Sequence, residues 1–168
     1  MDTTASTSNF GQVDSAFIAA LREQLGARVV TSLAVREQHG SDESYHQGQA
    51  PDAVVYAKST AEVVVVVRLC AQRRVPIVAY GAGTSLEGQV AAVCGGVCIN
   101  LSQMDKLLAL HEADMDAVVE AGISREALNR QLRQSGLFFP VDPGANATLG
   151  GTDAQRRPKL LPPAGDQG

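Results

Sequence analysis

The sequence has no tryptophan, three cysteines and, at 4%, few aromatic residues. Three cysteines (Cys70, Cys94 and Cys98) are too few and too odd in number for a secreted disulfide framework. No apolar run approaches the roughly 20 residues that span a bilayer. Basic residues are in the minority, 14 against 18 acidic, for a formal net charge of −4. That balance argues against nonspecific nucleic-acid or anionic-membrane binding, which needs a basic face. What is present is enough for a core: 45% of the 168 residues are hydrophobic, which argues against global disorder. Glycine is in excess, 16 of 168 against a usual ~7%, and its placement is the informative feature.

Met1 to Gly11 is Ser/Thr-rich and reads as a flexible leader, unlike either a signal peptide or a mitochondrial presequence. Asp14 is suited to cap a helix that runs to Leu25, with Phe17, Ile18, Leu21 and Leu25 on one stripe and Gly26 as its stop. Thr31 to Gln49 reads as an irregular polar loop. Ala53–Ala57 (AVVYA) is a strand candidate. Ser59 and Glu62 form a capping-box pattern, so a helix is expected from Ala61 to Arg73 despite its β-branched run Val63–Val67. Val75–Tyr80 is the next strand. Strand, helix and strand then make a βαβ unit with parallel strands and a right-handed crossover. Val97–Leu101 and Ala117–Glu120 are further strands. Ser124 caps a helix to Ser135, and Leu137–Phe139 reads as a short strand. From Thr152 the chain turns Pro-rich and aperiodic and is expected to be disordered.

Ten of the glycines lie between Gly81 and Gly151, most of them in two clusters, Gly81–Gly88 and Gly144–Gly151. Loops of this kind let backbone N–H groups converge on an anion, because no Cβ blocks the approach. A dinucleotide fingerprint G-x-G-x-x-G fails here, since Leu86 stands at the third glycine position. A Walker A loop fails as well: Gln89-Val90 replaces the Lys-Ser/Thr pair. The pattern that remains is G-x-G-T-S-x-x-G between two strands. On its own it fits a tight turn as well as a phosphate cradle.

Tyr80-Gly-Ala-Gly-Thr-Ser-Leu-Glu-Gly88 resembles the pyrophosphate loop of FAD-linked oxidases of the p-cresol methylhydroxylase (PCMH) type. Gly96–Leu101, Val118–Gly122 and Gly136–Ala145 follow that family in order and spacing. The branch that looks most similar is the cytochrome-linked D-lactate dehydrogenases with the glycolate oxidase flavoprotein subunit. His39–Ser44 and Pro51–Val55 agree with the lactate dehydrogenase branch in particular. The resemblance implies an α+β, PCMH-type FAD-binding domain, of which residues 31–151 would be the first subdomain and part of the second. Residues 1–30 would be the leader and first helix, and residues 152–168 a tail outside the family pattern. It implies FAD as cofactor, with Gly81, Ala82, Gly83, Thr84 and Ser85 wrapping the pyrophosphate and Gly88 turning the chain back. Pro143, Gly144, Thr148, Gly150 and Gly151 would form a second loop on the other side of the cofactor. Some relatives attach the flavin through a histidine where Thr84 stands, so the FAD here is expected to be noncovalent.

The family pattern stops at Gly151, where Thr152-Asp-Ala-Gln-Arg-Arg replaces its continuation. The part that holds the 2-hydroxy acid, and in the lactate dehydrogenase branch a divalent metal, has no counterpart in these residues, and none fits a catalytic base. The expectation is a truncated D-lactate dehydrogenase-like flavoenzyme whose parent passes electrons to a cytochrome-type acceptor. This chain would be inactive alone and bind FAD weakly or not at all. The alternatives are a noncatalytic FAD-binding or interaction module, or an FAD oxidoreductase for another 2-hydroxy acid such as glycolate. By resemblance the location would be mitochondrial if the source is eukaryotic. Among the remaining residues, His39, His46 and His111 show no metal spacing and are expected on the surface. Cys94 and Cys98 are expected as buried thiols. Arg73-Arg74 is expected as a charged helix end, and Glu87 should point away from the phosphate.

Overall fold

The structure is a computed structural model that describes residues 9–141 and 145–153. Its helices are α1 (Ser15–Leu25), α2 (Leu33–His39), α3 (Thr60–Arg73), α4 (Arg125–Leu132) and α5 (Leu149–Asp153), and its strands β1 (Val29–Val30), β2 (Ala53–Tyr56), β3 (Ile77–Tyr80), β4 (Val97–Asn100), β5 (Leu107–His111) and β6 (Asp116–Val119); helix and strand alternate up to β3, β4 to β6 follow, and α4 and α5 come last. The first sheet has the order β1-β2-β4-β3, and β5 pairs with β6 in a second, two-stranded sheet. The expected α+β character holds. β2 and β3 run parallel as expected, but β4 lies between them and pairs in parallel with both. The α3 crossover therefore spans one strand position that a later segment fills.

Three sequence caps form as read. Asp14 accepts from the Phe17 amide at 2.7 Å, Ser59 from Glu62 at 3.3 Å and Ser124 from Ala127 at 3.2 Å. α3 keeps its helix through Val63–Val67, because Val66 and Cys70 are its buried residues and face the sheet. Arg73 adds an ion pair to Asp14 at 3.1 Å and lies 5.5 Å over the Phe17 ring, so this helix end is tied back to α1. Gly11, the end of the expected leader, donates to the Arg74 carbonyl at 3.0 Å.

Four expectations need correction. Thr31–Gln49 contains α2; Ser32 makes no side-chain cap there, so the helix rests on tertiary contacts. β5 went unread, since Leu107–His111 has no alternation and pairs only through β6. Leu137–Phe139 is reduced to a single β-bridge residue, Phe138, rather than a strand. Thr152 and Asp153 end α5, so the expected disordered tail begins two residues too early; residues 154–168 lie outside the described residues, as do residues 1–8.

The core has two parts. Phe17, Leu21 and Leu25 of α1, Val66 and Cys70 of α3, and Val55, Val97 and Ile99 of the sheet form the first. Ile123, Leu128, Leu132, Phe139 and Leu149 form the second, against the inner face of β5–β6.

A bidentate ion pair ties the start of α3 to the turn after α1. The Arg28 guanidinium donates to Glu62 Oε2 at 2.5 Å and Oε1 at 2.6 Å. The Lys58 amide donates to the same carboxylate at 2.8 Å. Arg28 holds the Glu62 carboxyl down to about 2 from an ordinary 4.5, against a partial opposing effect of burial. A depressed carboxyl stabilises the fold fully above pH 4.5 and loses that contribution as pH falls toward 2. Both side chains keep about a quarter of their surface in water, so the contribution is about 1 kcal/mol. Glu62→Gln is expected to lower the melting temperature by about 2–4 °C at pH 7 and to change it little near pH 2. Thermal melts at the two pH values check this.

Candidate cofactor site

The three parallel strands end in one register row, Tyr56, Asn100 and Tyr80. In open sheets with parallel strands, ligands bind outside the carboxyl ends of those strands. β3 runs straight from Tyr80 into the first glycine cluster, so Gly81 to Ser85 stand at that edge. Among the described residues, the amides of Gly81, Ala82, Gly83, Thr84 and Ser85 meet no hydrogen-bond acceptor. Five uncommitted donors in sequence, on a half-exposed loop, are what a diphosphate needs. Beyond them the loop is committed. The Ser85 hydroxyl donates to Gln89 Oε1 at 2.7 Å and accepts from the Glu87 amide at 3.3 Å. The Gly88 amide donates to Asp42 Oδ2 at 3.0 Å. Glu87 itself is exposed.

Two glycines in this loop have no room for a side chain. Gly83 sits at φ +69°, and a Cβ there would lie 2.2 Å from the Tyr80 hydroxyl oxygen. A Cβ on Gly81 would lie 2.3 Å from Thr148 Oγ1. The second contact joins the two glycine clusters. Thr148 is buried and bridges Ser124. The Leu149 amide donates to Ile123 and the Gly150 amide to Ala121, both at 2.8 Å. Gly150 and Gly151 open the short helix α5 rather than lie in a loop, and the Gly150 amide is already used. Pro143 and Gly144 lie outside the described residues.

The floor of the site is aromatic and polar. His39 was expected on the surface; it is 3% exposed, because α2 ends with its ring under the strand row. His46 and His111 are exposed as expected. His46 comes from the same loop as Asp42 and sits against Gly88; His111 pairs with Asp116 at 2.5 Å, far along the second sheet. Cys98 is buried as expected, and burial pushes its thiol up to about 12. Cys94 is exposed instead, because it lies in the turn before β4. Burial also raises the Tyr80 phenol, so it carries no charge at neutral pH. Asp42 is the nearby fixed negative charge. Ser44, whose amide donates to Oδ1 at 3.0 Å, and then the Gly88 amide hold its carboxyl below the ordinary range despite partial burial.

Asp42, Tyr80 and Asn100 were not singled out from sequence. The available signal was positional: strands β2, β3 and β4 each end on a tyrosine or asparagine, and Asp42 lies within the His39–Ser44 stretch. No group of three or more potential metal ligands occurs among the described residues, and no described helix is long and apolar enough to cross a membrane.

Known proteins bear on this geometry. One family profile, described as FAD binding domain, matches residues 51–157. A probable mitochondrial D-lactate dehydrogenase of Danio rerio is 49% identical over 126 residues, 75% of this chain and 25% of the relative. The mitochondrial D-lactate dehydrogenase [cytochrome] of Arabidopsis thaliana is 42% identical over 149 residues, 88% of this chain and 26% of the relative. The chain thus spans about a quarter of these relatives' length. The solved structure of p-cresol methylhydroxylase with substrate bound superimposes with a TM-score of 0.64 over 71% of this chain and 24% of that one, at 22% identity, which shows the fold alone. The matched stretch contains both glycine clusters, and the chain belongs to the FAD binding domain family, in the PCMH-type fold.

Proposed function

We propose that this chain holds the diphosphate of FAD for a D-2-hydroxy-acid dehydrogenase acting on D-lactate. The observation that carries the reading is the contact of Gly81 with Thr148 beside five uncommitted amides. The two D-lactate dehydrogenases among the relatives support the substrate class. When bound, FAD supplies hydride acceptance from the 2-hydroxy acid and one-electron transfer to a cytochrome-type acceptor.

This chain's own residues do the holding. The amides from Gly81 to Ser85 offer donors to the diphosphate oxygens, and Thr148 closes the cradle from the second cluster. Gly150 and Gly151, at the start of α5, extend that second wall. Thr84 offers a hydroxyl where some relatives attach the flavin through a histidine, and this supports noncovalent attachment. Among the described residues, none is placed to take the substrate's hydroxyl proton or to clamp its carboxylate. Those roles, and any divalent metal, belong to the three quarters of the relatives that this chain does not match. We therefore expect no turnover of D-lactate by this chain alone and, by its relatives, a mitochondrial destination if the source is eukaryotic.

Fluorescence titration of residues 1–168 with FAD tests the reading. We expect saturable binding with Kd between roughly 1 μM and 1 mM, competed by ADP and not by riboflavin. Absence of saturation at millimolar FAD, or competition by riboflavin alone, overturns the diphosphate reading. D-lactate-dependent reduction of cytochrome c by this chain alone overturns the claim of inactivity.

A further inference from the structure

The buried histidine has no part in the reading above, and its surroundings are specific. His39 Nδ1 lies 2.8 Å from the Val35 carbonyl oxygen. A carbonyl only accepts, so the ring proton sits on Nδ1. Nε2 is then an acceptor, and the Asn100 side-chain amide donates to it at 2.8 Å. Asn100 is oriented by its other end, where Oδ1 accepts from the Ser102 amide at 2.8 Å. The amide therefore faces His39 with its NH2 group, and the whole chain of bonds has one direction. The His39 ring also packs on Tyr80, centroid to centroid 4.4 Å, and edge-on to Tyr56 at 5.6 Å. Tyr80 in turn has its hydroxyl against Gly83.

We propose that His39 is a positioning residue for the glycine loop: bonded to Asn100 and packed on Tyr80, it fixes the Tyr80 ring, which sets the path of Gly81–Ser85 before the diphosphate arrives. The inference rests on the reading of that loop as the diphosphate holder. Three elements converge on one small point: α2 brings the histidine, β4 the asparagine and β3 the tyrosine that leads into the loop. Asp42, three residues after His39, holds the other end of the loop through the Gly88 amide at 3.0 Å. The same short segment thus grips the loop at entry and exit. A packed aromatic floor with a single hydrogen-bond direction allows one ring position, and pre-ordering of the loop lowers the ordering cost at binding.

Amide hydrogen exchange on the full chain tests this without FAD. His39→Phe keeps a ring and removes the acceptor; His39→Gln keeps an acceptor within reach of Asn100. We expect His39→Phe to speed exchange at the loop's bonded amides, Glu87 and Gly88, about tenfold with β2 and α3 unchanged, and His39→Gln to recover part of it. Asn100→Ala, which removes the 2.8 Å donor and leaves His39 Nε2 only the Tyr56 hydroxyl at 3.5 Å, is expected to act as His39→Phe does and carries the test if that variant does not fold. Unchanged loop exchange in a folded His39→Phe or Asn100→Ala protein overturns the proposal. So does equal acceleration in loop and sheet, or loss of the fold in both variants, either of which makes the role fold-wide. FAD titration of the wild type runs alongside. Loop-specific acceleration with no FAD binding by the wild type leaves the positioning role standing and removes the diphosphate reading; FAD binding with no loop-specific change does the reverse.

Discussion

Replacing Gly83 by alanine is expected to weaken FAD binding about 30-fold, roughly 2 kcal/mol, while the rest of the chain stays folded. Two costs combine. An L-residue in the left-handed region, φ +69° here, loses about 1 kcal/mol or more. The new Cβ would also lie 2.2 Å from the Tyr80 hydroxyl oxygen and 2.8 Å from Cζ. Tyr80 cannot simply swing away, since its ring packs on buried His39 at 4.4 Å. The loop must give instead, and its uncommitted amides leave the positions from which they converge. Titration of the variant beside the wild type measures the rise in Kd. Tyr80→Phe removes the hydroxyl, so the Gly83→Ala/Tyr80→Phe pair should recover part of the loss, a coupling that a double-mutant cycle reads. A Kd within threefold of the wild type would show that the loop tolerates the displacement, and the cradle would then not depend on close backbone approach.

This sensitivity was half legible in the sequence. Gly83 was marked by its spacing to Gly81 and Gly88, and its place after a strand was correct. Its crowding against Tyr80 was not, because that depends on what holds the tyrosine from below. The parts that read well are local. Asp14, Ser59 and Ser124 each cap the helix they precede, since a cap involves only the next three residues. The parts that read poorly are set by partners distant in sequence. α2 has no capping side chain, and β4 enters between β2 and β3 although it follows both. β5 is defined by β6 across a bulge between Leu107 and Ala109. His39 shows the consequence for the site. In a polar segment it reads as a solvated side chain, and only the α2 geometry brings it under Asn100 and Tyr80. The pairing of the two glycine clusters came from the resemblance; the Gly81–Thr148 contact supplies its physical form.

Gly122→Ala is expected to cost about 3 kcal/mol of stability. That is a fall in melting temperature of about 6–12 °C. A Cβ at Gly122 would lie 1.9 Å from the Leu101 carbonyl oxygen, 2.8 Å from its carbon and 2.9 Å from the Met104 carbonyl oxygen. All three are backbone atoms, so no side-chain rotation relieves the clash. The Gly122 amide is also bonded to Met104 at 2.8 Å, which pins it in place. The position is the seam between the two cores. On one side Leu101 donates to Tyr80, at the mouth of the glycine loop, at 3.0 Å. On the other, Ala121 and Ile123 accept from Gly150 and Leu149 at 2.8 Å and so seat Thr148 on Gly81. Opening the seam should therefore weaken FAD binding as well as stability. Gly136→Ala is the control, because Gly136 has φ +68° with nothing within 4 Å of its Cβ. Only the backbone strain of about 1 kcal/mol applies there, far from the loop, and Kd should not change. A Gly122→Ala protein that melts no lower than Gly136→Ala would show that the Leu101 carbonyl can retreat, and the seam would then not be what sets the second cluster against the first.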